Sequence, residues 1–189
     1  MEKETAIEIL KATGVMQEGH FKLTSGRHSD KYMQCAKLFI QPETSAVMSR
    51  ALADKFFDIE IDMVVGPAIG GIILAYEVAR QLKTPNIFAE RENGAMTFRR
   101  GFAVEPGSRV LVVEDVVTTG GSVKEVMELV KASGAEVVGV GAIVDRSNGA
   151  VDFGTRFEAV ISMEVISYPP EECPICKTGM PITKPGSRV

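Results

Sequence analysis

Between residues 61 and 161 the chain alternates short β-branched runs with stretches of helical length, a pattern that very few architectures accommodate. Ile61-Asp62-Met63-Val64-Val65-Gly66, Asn86-Ile87-Phe88-Ala89-Glu90, Val110-Leu111-Val112-Val113, residues 137–144 and Ala159-Val160-Ile161 read as strands. Residues 72–82 read as an apolar helix behind Gly70-Gly71. Residues 122–133 read as a second one, with Val123, Val126, Met127 and Val130 on one face and Gly134 as its stop. Strands separated by single helices are βαβ units around a parallel sheet. The runs are continuously apolar, as strands must be when helices cover both faces. The predicted class is α/β, a parallel sheet flanked by helices. In such sheets ligands sit beyond the carboxyl ends of the strands, near the point where strand order reverses.

The flanking segments are different. Residues 3–13 read as a short amphipathic helix, with Ala6, Ile9, Leu10 and Thr13 at helical spacing and Gly14 as its stop. Residues 19–41 are polar and interrupted by glycine, which suits an irregular or short-stranded layer. Pro42-Glu43 opens a helix to about residue 57. Arg91 to Gly101, with three Arg and two Gly, reads as a mobile loop. From Tyr168-Pro169-Pro170 to Val189 the chain is rich in Pro, Gly and Cys and reads as an extended appendage. The expected organisation of the 189 residues is one domain with a hood (1–41), a core (42–165) and a tail (166–189). That length buries a full core without disulfides.

Lys and Arg number 21 against 25 Asp and Glu, and the net charge of −4 disfavours a nucleic-acid-binding face. It does not disfavour a small anion held locally. No apolar run reaches the ~18 residues of a membrane span. The charged start Met1-Glu2-Lys3-Glu4 is unlike a signal peptide. Three cysteines are too few for a disulfide scaffold, so the expected setting is reduced and cytoplasmic.

The chemistry concentrates after the 110–113 run, in Glu114-Asp115-Val116-Val117-Thr118-Thr119-Gly120-Gly121-Ser122. Two acids at a strand's carboxyl end can accept hydrogen bonds from sugar hydroxyls. The glycines let backbone N–H groups converge on an anion, the following helix end adds partial positive charge, and Thr118, Thr119 and Ser122 add hydroxyl donors. Acids beside an anion cradle suit a ligand with hydroxyls and phosphate, namely a ribose 5-phosphate. A polar-capped strand–turn–helix junction would account for Gly-Gly and Ser, but not for adjacent acids followed by two threonines. The segment lacks the Gly-x-Gly-x-x-Gly of dinucleotide sites and the Gly-Lys-Ser/Thr of a P-loop.

Val110 to Ser122 resembles the phosphoribosyl-diphosphate signature of the type I phosphoribosyltransferases. More narrowly, the chain resembles the orotate phosphoribosyltransferase family in Phe21-Lys22-Leu23-Thr24-Ser25-Gly26-Arg27-His28-Ser29, in Gly66-Pro67-Ala68 with Gly70-Gly71, and in Asp145-Arg146. The tail ending Lys184-Pro185-Gly186-Ser187-Arg188 is similar to that of a shorter branch of the family. The resemblance implies Mg²⁺-dependent transfer of 5-phosphoribosyl from phosphoribosyl diphosphate to orotate. The products would be orotidine 5′-phosphate and diphosphate, in pyrimidine nucleotide synthesis. It implies that Glu114 and Asp115 bind the ribose hydroxyls, that Val116 to Ser122 cradle the 5-phosphate, and that 68–71 lie against the diphosphate. Thr118 and Arg146 would contact orotate, with Ser25 and Gly26 in the hood over it. Arg91, Arg99 and Arg100, in a loop closing over the diphosphate, would join Asp115 as catalytic groups. It further implies a homodimer whose loops serve the partner's site. Two departures stand out: the 91–100 loop and position 70 lack the family's lysines, and Met33-Gln34 beside Tyr32 stand at its base-stacking aromatic pair.

Two rival functions follow. The missing lysines and aromatic pair favour a purine-base phosphoribosyltransferase, while the Ser-Gly segment and Asp145-Arg146 disfavour it. A phosphoribosyl-diphosphate-sensing regulator would need a basic DNA-binding module of ~60 residues, for which the chain has no room. Arg146 taken alone would read as an exposed strand-end ion pair. Cys173-Pro174-Ile175-Cys176 has half of a zinc-ribbon spacing and only Cys35 as a third thiol. It reads as unligated loop thiols, or as a Cys₄ site shared between two tails. His20 and His28 form no recognisable metal or triad pair and read as surface or hydrogen-bonded histidines.

Overall fold

The computed structural model describes residues 1–23 and 25–185. Thr24 of the hood motif and the Gly186-Ser187-Arg188 end of the tail lie outside the described residues. Helix α1 (Lys3–Ala12) leads into an antiparallel pair, β1 (Met16–Lys22) and β2 (His28–Met33), followed by α2 (Pro42–Ala53). The core then runs β3 (Met63–Pro67), α3 (Gly70–Leu82), β4 (Asn86–Glu92), β5 (Ala95–Thr97), β6 (Arg109–Val117), α4 (Gly121–Ala132), β7 (Glu136–Asp145) and β8 (Phe157–Ser162).

The six core strands stand in the order β5-β4-β3-β6-β7-β8, parallel except for β5. From β3 the chain crosses through α3 to β4, in one direction. From β6 it crosses through α4 to β7, in the other. Crossovers of one hand running opposite ways place their helices on opposite faces of the sheet. The core shows this: Leu74, Ala75 and Val78 of α3 pack with Leu111 and Val113, and Val123, Val126 and Val130 of α4 pack with Val110 and Val112. Successive residues of β6 thus enter two different cores, which is why its sequence is continuously apolar. Strand order reverses between β3 and β6, so the crevice opens there.

Two segments depart from expectation. β6 continues to Val117, beyond the 110–113 run, because β7 pairs with it to Val117↔Asp145. Glu114 and Asp115 therefore lie within the strand. The expected mobile loop begins as a hairpin, β4–β5, with Glu90↔Thr97 and Arg91↔Met96 paired across Asn93-Gly94. Both turn residues have positive φ (51° and 86°), the backbone that a tight Asn-Gly hairpin requires.

Candidate active site

The crevice exists because β6 loses one neighbour before its end. β3 pairs with β6 only from Met63↔Val110 to Val65↔Val112, whereas β7 follows it to Val117. Past Val112 the β3 side of β6 is open. The chain leaving β3 turns sharply there: a Cβ on Gly66 would lie 2.3 Å from the Gly71 carbonyl oxygen. A Cβ on Gly70 would lie 2.4 Å from Asp115 Oδ2. In this arrangement the Asp115 carboxylate occupies the space that a lysine at position 70 would need.

Glu114 and Asp115 face this crevice with little else to hold them. The Asp115 N–H donates to Glu114 Oε1 at 3.1 Å, and the Val116 N–H donates to Asp115 Oδ1 at 2.8 Å. Burial pushes both carboxyls above the usual range, and the Asp115 charge pushes Glu114 further. Two desolvated neighbouring carboxyls are stabilised by hydroxyl donors or a cation. Asp115 lines a cavity of about 420 Å³ together with Met33, Gln34, Ala68, Ile69 and Gly70.

Immediately beyond, Glu114 and 116–123 line a cavity of about 70 Å³. It includes every residue of the expected phosphate cradle from Val116 to Ser122. Gly120 precedes α4 with φ +73°, and a Cβ there would meet Val151 and Phe153 at 2.8 and 2.9 Å. No side chain caps α4 and no acid lies in its first turn, so the N-terminal N–H groups are open to an anion.

A third cavity, about 550 Å³, is lined by Leu23, Ser25, Lys31, Tyr32, Met33, Thr118, Thr119, Arg146 and Pro185. Ser25, Thr118 and Arg146 are thus brought together as expected, from three distant stretches. Gly26 is not in this lining and forms the β1–β2 turn with φ +82°. Lys31 and Pro185 were not legible as site residues. Strand alternation from Met33 could have found Lys31, which lies two residues away on β2. Pro185 entered the sequence reading only within the tail resemblance, which assigns it no site role.

Arg146 is not the strand-end ion pair that its position alone would give. Its N–H donates to the Val117 carbonyl at 2.8 Å, tying the residue to the end of β6. Asp145 instead accepts from the Ser147 N–H at 2.8 Å and the Ser162 hydroxyl at 3.1 Å. Among the described residues no carboxylate pairs with Arg146, and its Nε is buried without a partner. Burial lowers its pKa from the usual arginine value, because a guanidinium is being held out of water.

The loop arginines lie apart from these cavities. Arg91 pairs with Glu125 at 2.6 Å and donates to the Gly94 carbonyl at 2.9 Å. Arg99 lies 3.2 Å from Glu92, and Arg100 lies 3.1 Å from Glu90 and over the Phe88 ring. None of the three lines the crevice of its own chain in this arrangement.

Of the two histidine readings, the hydrogen-bonded one holds and the surface one does not: both rings are buried, and His20 Nδ1 lies 2.8 Å from the Met180 carbonyl oxygen. A register shift between Glu18 and Phe21 interrupts the alternation of β1, so that His20 and Phe21 are both buried. The returning tail then brings Cys173 and Cys176 against His20 and His28. Cys35 lies elsewhere, in the wall of the Asp115 cavity.

A helix-flanked parallel sheet, an anion cradle at a helix end, and paired acids at the strand-order reversal define a phosphoribosyltransferase. Residues 36–153 match the family described as "Phosphoribosyl transferase domain". An orotate phosphoribosyltransferase from Caldanaerobacter subterraneus subsp. tengcongensis is 60% identical over 188 residues, covering 100% of this chain and 99% of that protein. The crystal structure of orotate phosphoribosyltransferase from Aeropyrum pernix matches with a TM-score of 0.69 and 28% identity, over 82% of this chain and 92% of that one. Adenine phosphoribosyltransferase from Rhodothermus marinus shares the fold alone, with a TM-score of 0.66 at 22% identity over 85% of this chain and 99% of that one. The chain belongs to the orotate phosphoribosyltransferase family.

Proposed function

We propose that this chain transfers the 5-phosphoribosyl group of phosphoribosyl diphosphate to N1 of orotate, giving orotidine 5′-phosphate and diphosphate in pyrimidine nucleotide synthesis. The 5-phosphate lies in the 116–122 cradle, on backbone N–H groups and the Thr118, Thr119 and Ser122 hydroxyls. Glu114 and Asp115 accept the ribose hydroxyls, and the diphosphate lies toward Ala68–Gly71. The bond from C1 to the diphosphate oxygen breaks with its electron pair on the leaving group. The orotate nitrogen forms the new bond to C1 as its N–H bond breaks and the proton passes to the released diphosphate or to solvent. Positive charge grows on the sugar between these events, and Glu114 and Asp115, ionised beside the ring, stabilise it.

Mg²⁺ suits the oxygen-only donor set that the two carboxylates and a diphosphate would form. It would be held by the ligand's diphosphate and ribose oxygens, with Asp115 and Glu114 as the protein groups facing it. When bound, it neutralises charge on the leaving diphosphate.

The observation that carries the choice of orotate is the guanidinium of Arg146, without a carboxylate partner among the described residues, at the wall of the cavity of about 550 Å³. Adenine offers it no anion, whereas orotate offers a carboxylate that a guanidinium binds through two parallel hydrogen bonds. Arg91, Arg99 and Arg100 are exposed and paired with Glu125, Glu92 and Glu90, outside the lining of the three cavities. This supports a homodimer in which the 91–100 loop of each chain closes over the diphosphate of the other. A cytoplasmic enzyme fits a chain in which, among the described residues, no helix is long and apolar enough to cross a membrane.

The test is a panel of bases offered with phosphoribosyl diphosphate and Mg²⁺. Orotate is expected to turn over, and adenine and xanthine are not. Turnover of a purine with none for orotate would overturn the assignment.

A further inference from the structure

We propose that His20, His28, Cys173 and Cys176 bind one Zn²⁺ ion that fastens the tail to the hood. Their four ligand atoms all lie within 4.8 Å of one another. His20 Nε2 lies 3.2 Å from His28 Nδ1 and 3.6 Å from each sulfur, and His28 Nδ1 lies 3.2 Å from Cys176 Sγ. Zinc bonds of ~2.05 Å to nitrogen and ~2.3 Å to sulfur, set tetrahedrally, demand edges of about 3.3 Å between nitrogens and about 3.6 Å from nitrogen to sulfur. The four measured edges match those spacings to within about 0.4 Å.

Protonation is also arranged for a metal. His20 Nδ1 lies 2.8 Å from the Met180 carbonyl oxygen, which can only accept. Nδ1 therefore carries the proton, and the Nε2 lone pair points at the cluster, as in metal sites whose second ring nitrogen is held by a carbonyl. His20, His28 and Cys173 are buried. Two thiolates and two neutral imidazoles around Zn²⁺ sum to zero charge, so the centre can be buried without an uncompensated ion. Two nitrogens and two sulfurs in a tetrahedron favour zinc over magnesium, manganese or calcium.

The backbone shows what the ion would hold. On one side of the cluster Lys22 donates to the Thr183 carbonyl at 2.8 Å, and Thr183 donates to that of His20 at 2.9 Å. On the other, His28 and Tyr168 exchange two hydrogen bonds of 2.8 Å. The segment pinned between them continues to Pro185, in the wall of the cavity that holds Arg146. The ion is structural, but it sets one wall of that cavity. Its presence does not depend on which base the enzyme takes.

The protein should be prepared without a polyhistidine tag and its metal content measured. About one zinc per chain is expected, falling below about a tenth in Cys173→Ser and in His20→Asn. In the unaltered protein, chelation should lower Tm by about 5–15 °C, with recovery when Zn²⁺ is returned. Hydrogen exchange across 166–185 should rise with it. Co²⁺ in place of zinc should give the visible bands of a tetrahedral site with thiolate ligands, and Cys176→Ser should alter them. A reduced protein that contains no zinc, takes up none at micromolar Zn²⁺ and keeps its Tm through chelation would overturn the proposal. So would a Cys173–Cys176 disulfide that, once reduced, binds no metal.

Discussion

The proposed phosphate end of the crevice takes its whole lining from one stretch, residues 114–123, while the proposed base end takes its wall from five places in the chain: 23 and 25, 31–33, 118–119, 146 and 185. The first is a local object. A strand, a turn with one positive φ and a helix start place every group within a few residues of the next. The second exists only when the hood, the ends of β6 and β7, and the tail have all been assembled. An anion common to many substrates can be held by backbone N–H groups, which any sequence supplies. A particular base needs side chains, and these must come from wherever the fold can bring them.

If the two ends are separate in this way, Arg146→Ala should act on one of them only. Loss of a charge-assisted bidentate pair is worth about 2–3 kcal/mol, so KM for orotate should rise about 30- to 160-fold. KM for phosphoribosyl diphosphate should change less than about threefold. Steady-state kinetics with each substrate varied in turn checks this. An equal rise in both constants would show that the ends are coupled.

A smaller effect should appear in stability at the phosphate end. Both acids have raised pKa values in the folded chain. Their ionisation therefore weighs against folding once pH exceeds the unfolded value of about 4, and increasingly up to the folded value. Glu114→Gln removes one of the competing charges. The variant should match the parent near pH 4 and exceed it by about 2–5 °C in Tm near pH 8, while binding phosphoribosyl diphosphate less well. Thermal melts across that range test it. A parent that gains stability over the variant with rising pH would reverse the sign.

The smallest change is expected where neither end is touched. Exposed ion pairs such as those of Arg99 and Arg100 contribute ~0–1 kcal/mol, so replacing both with Ala should move Tm by less than about 3 °C. Activity should fall, and should return in part on mixing with an Arg146→Ala chain if loops are shared between subunits. No recovery would place both halves of the site in one chain.

The same division explains what the sequence disclosed. The alternation of apolar runs and helices determined the sheet, because each strand must bury both faces whatever its neighbours are. The 114–122 cradle could be read because its residues are adjacent. Strand β6 read four residues short, since Glu114 and Asp115 are charged and the pairing that extends the strand comes from β7. The 91–97 hairpin was hidden among arginines, though Asn93-Gly94 is its turn signal. His20, His28 and the tail cysteines looked unrelated because 148 to 156 residues separate each His–Cys contact, and spacing rules cover only local ligand pairs. Pro185 was missed for the same reason, whereas Lys31 lay within reach of strand alternation from Met33.

The return of the tail to the hood has a consequence for how the chain matures. During synthesis from the N-terminus, the cradle can close as soon as β7 has formed beside β6. The hood strands, made first, must wait for residues 168–183 before their open backbone groups find partners. Contacts over such separations form late and slowly. A nascent or C-terminally clipped chain would therefore hold the sugar phosphate before it could choose a base. If the cavity lined by Arg146 takes the base as proposed, selectivity would be the last property acquired and the first lost to proteolysis of the tail.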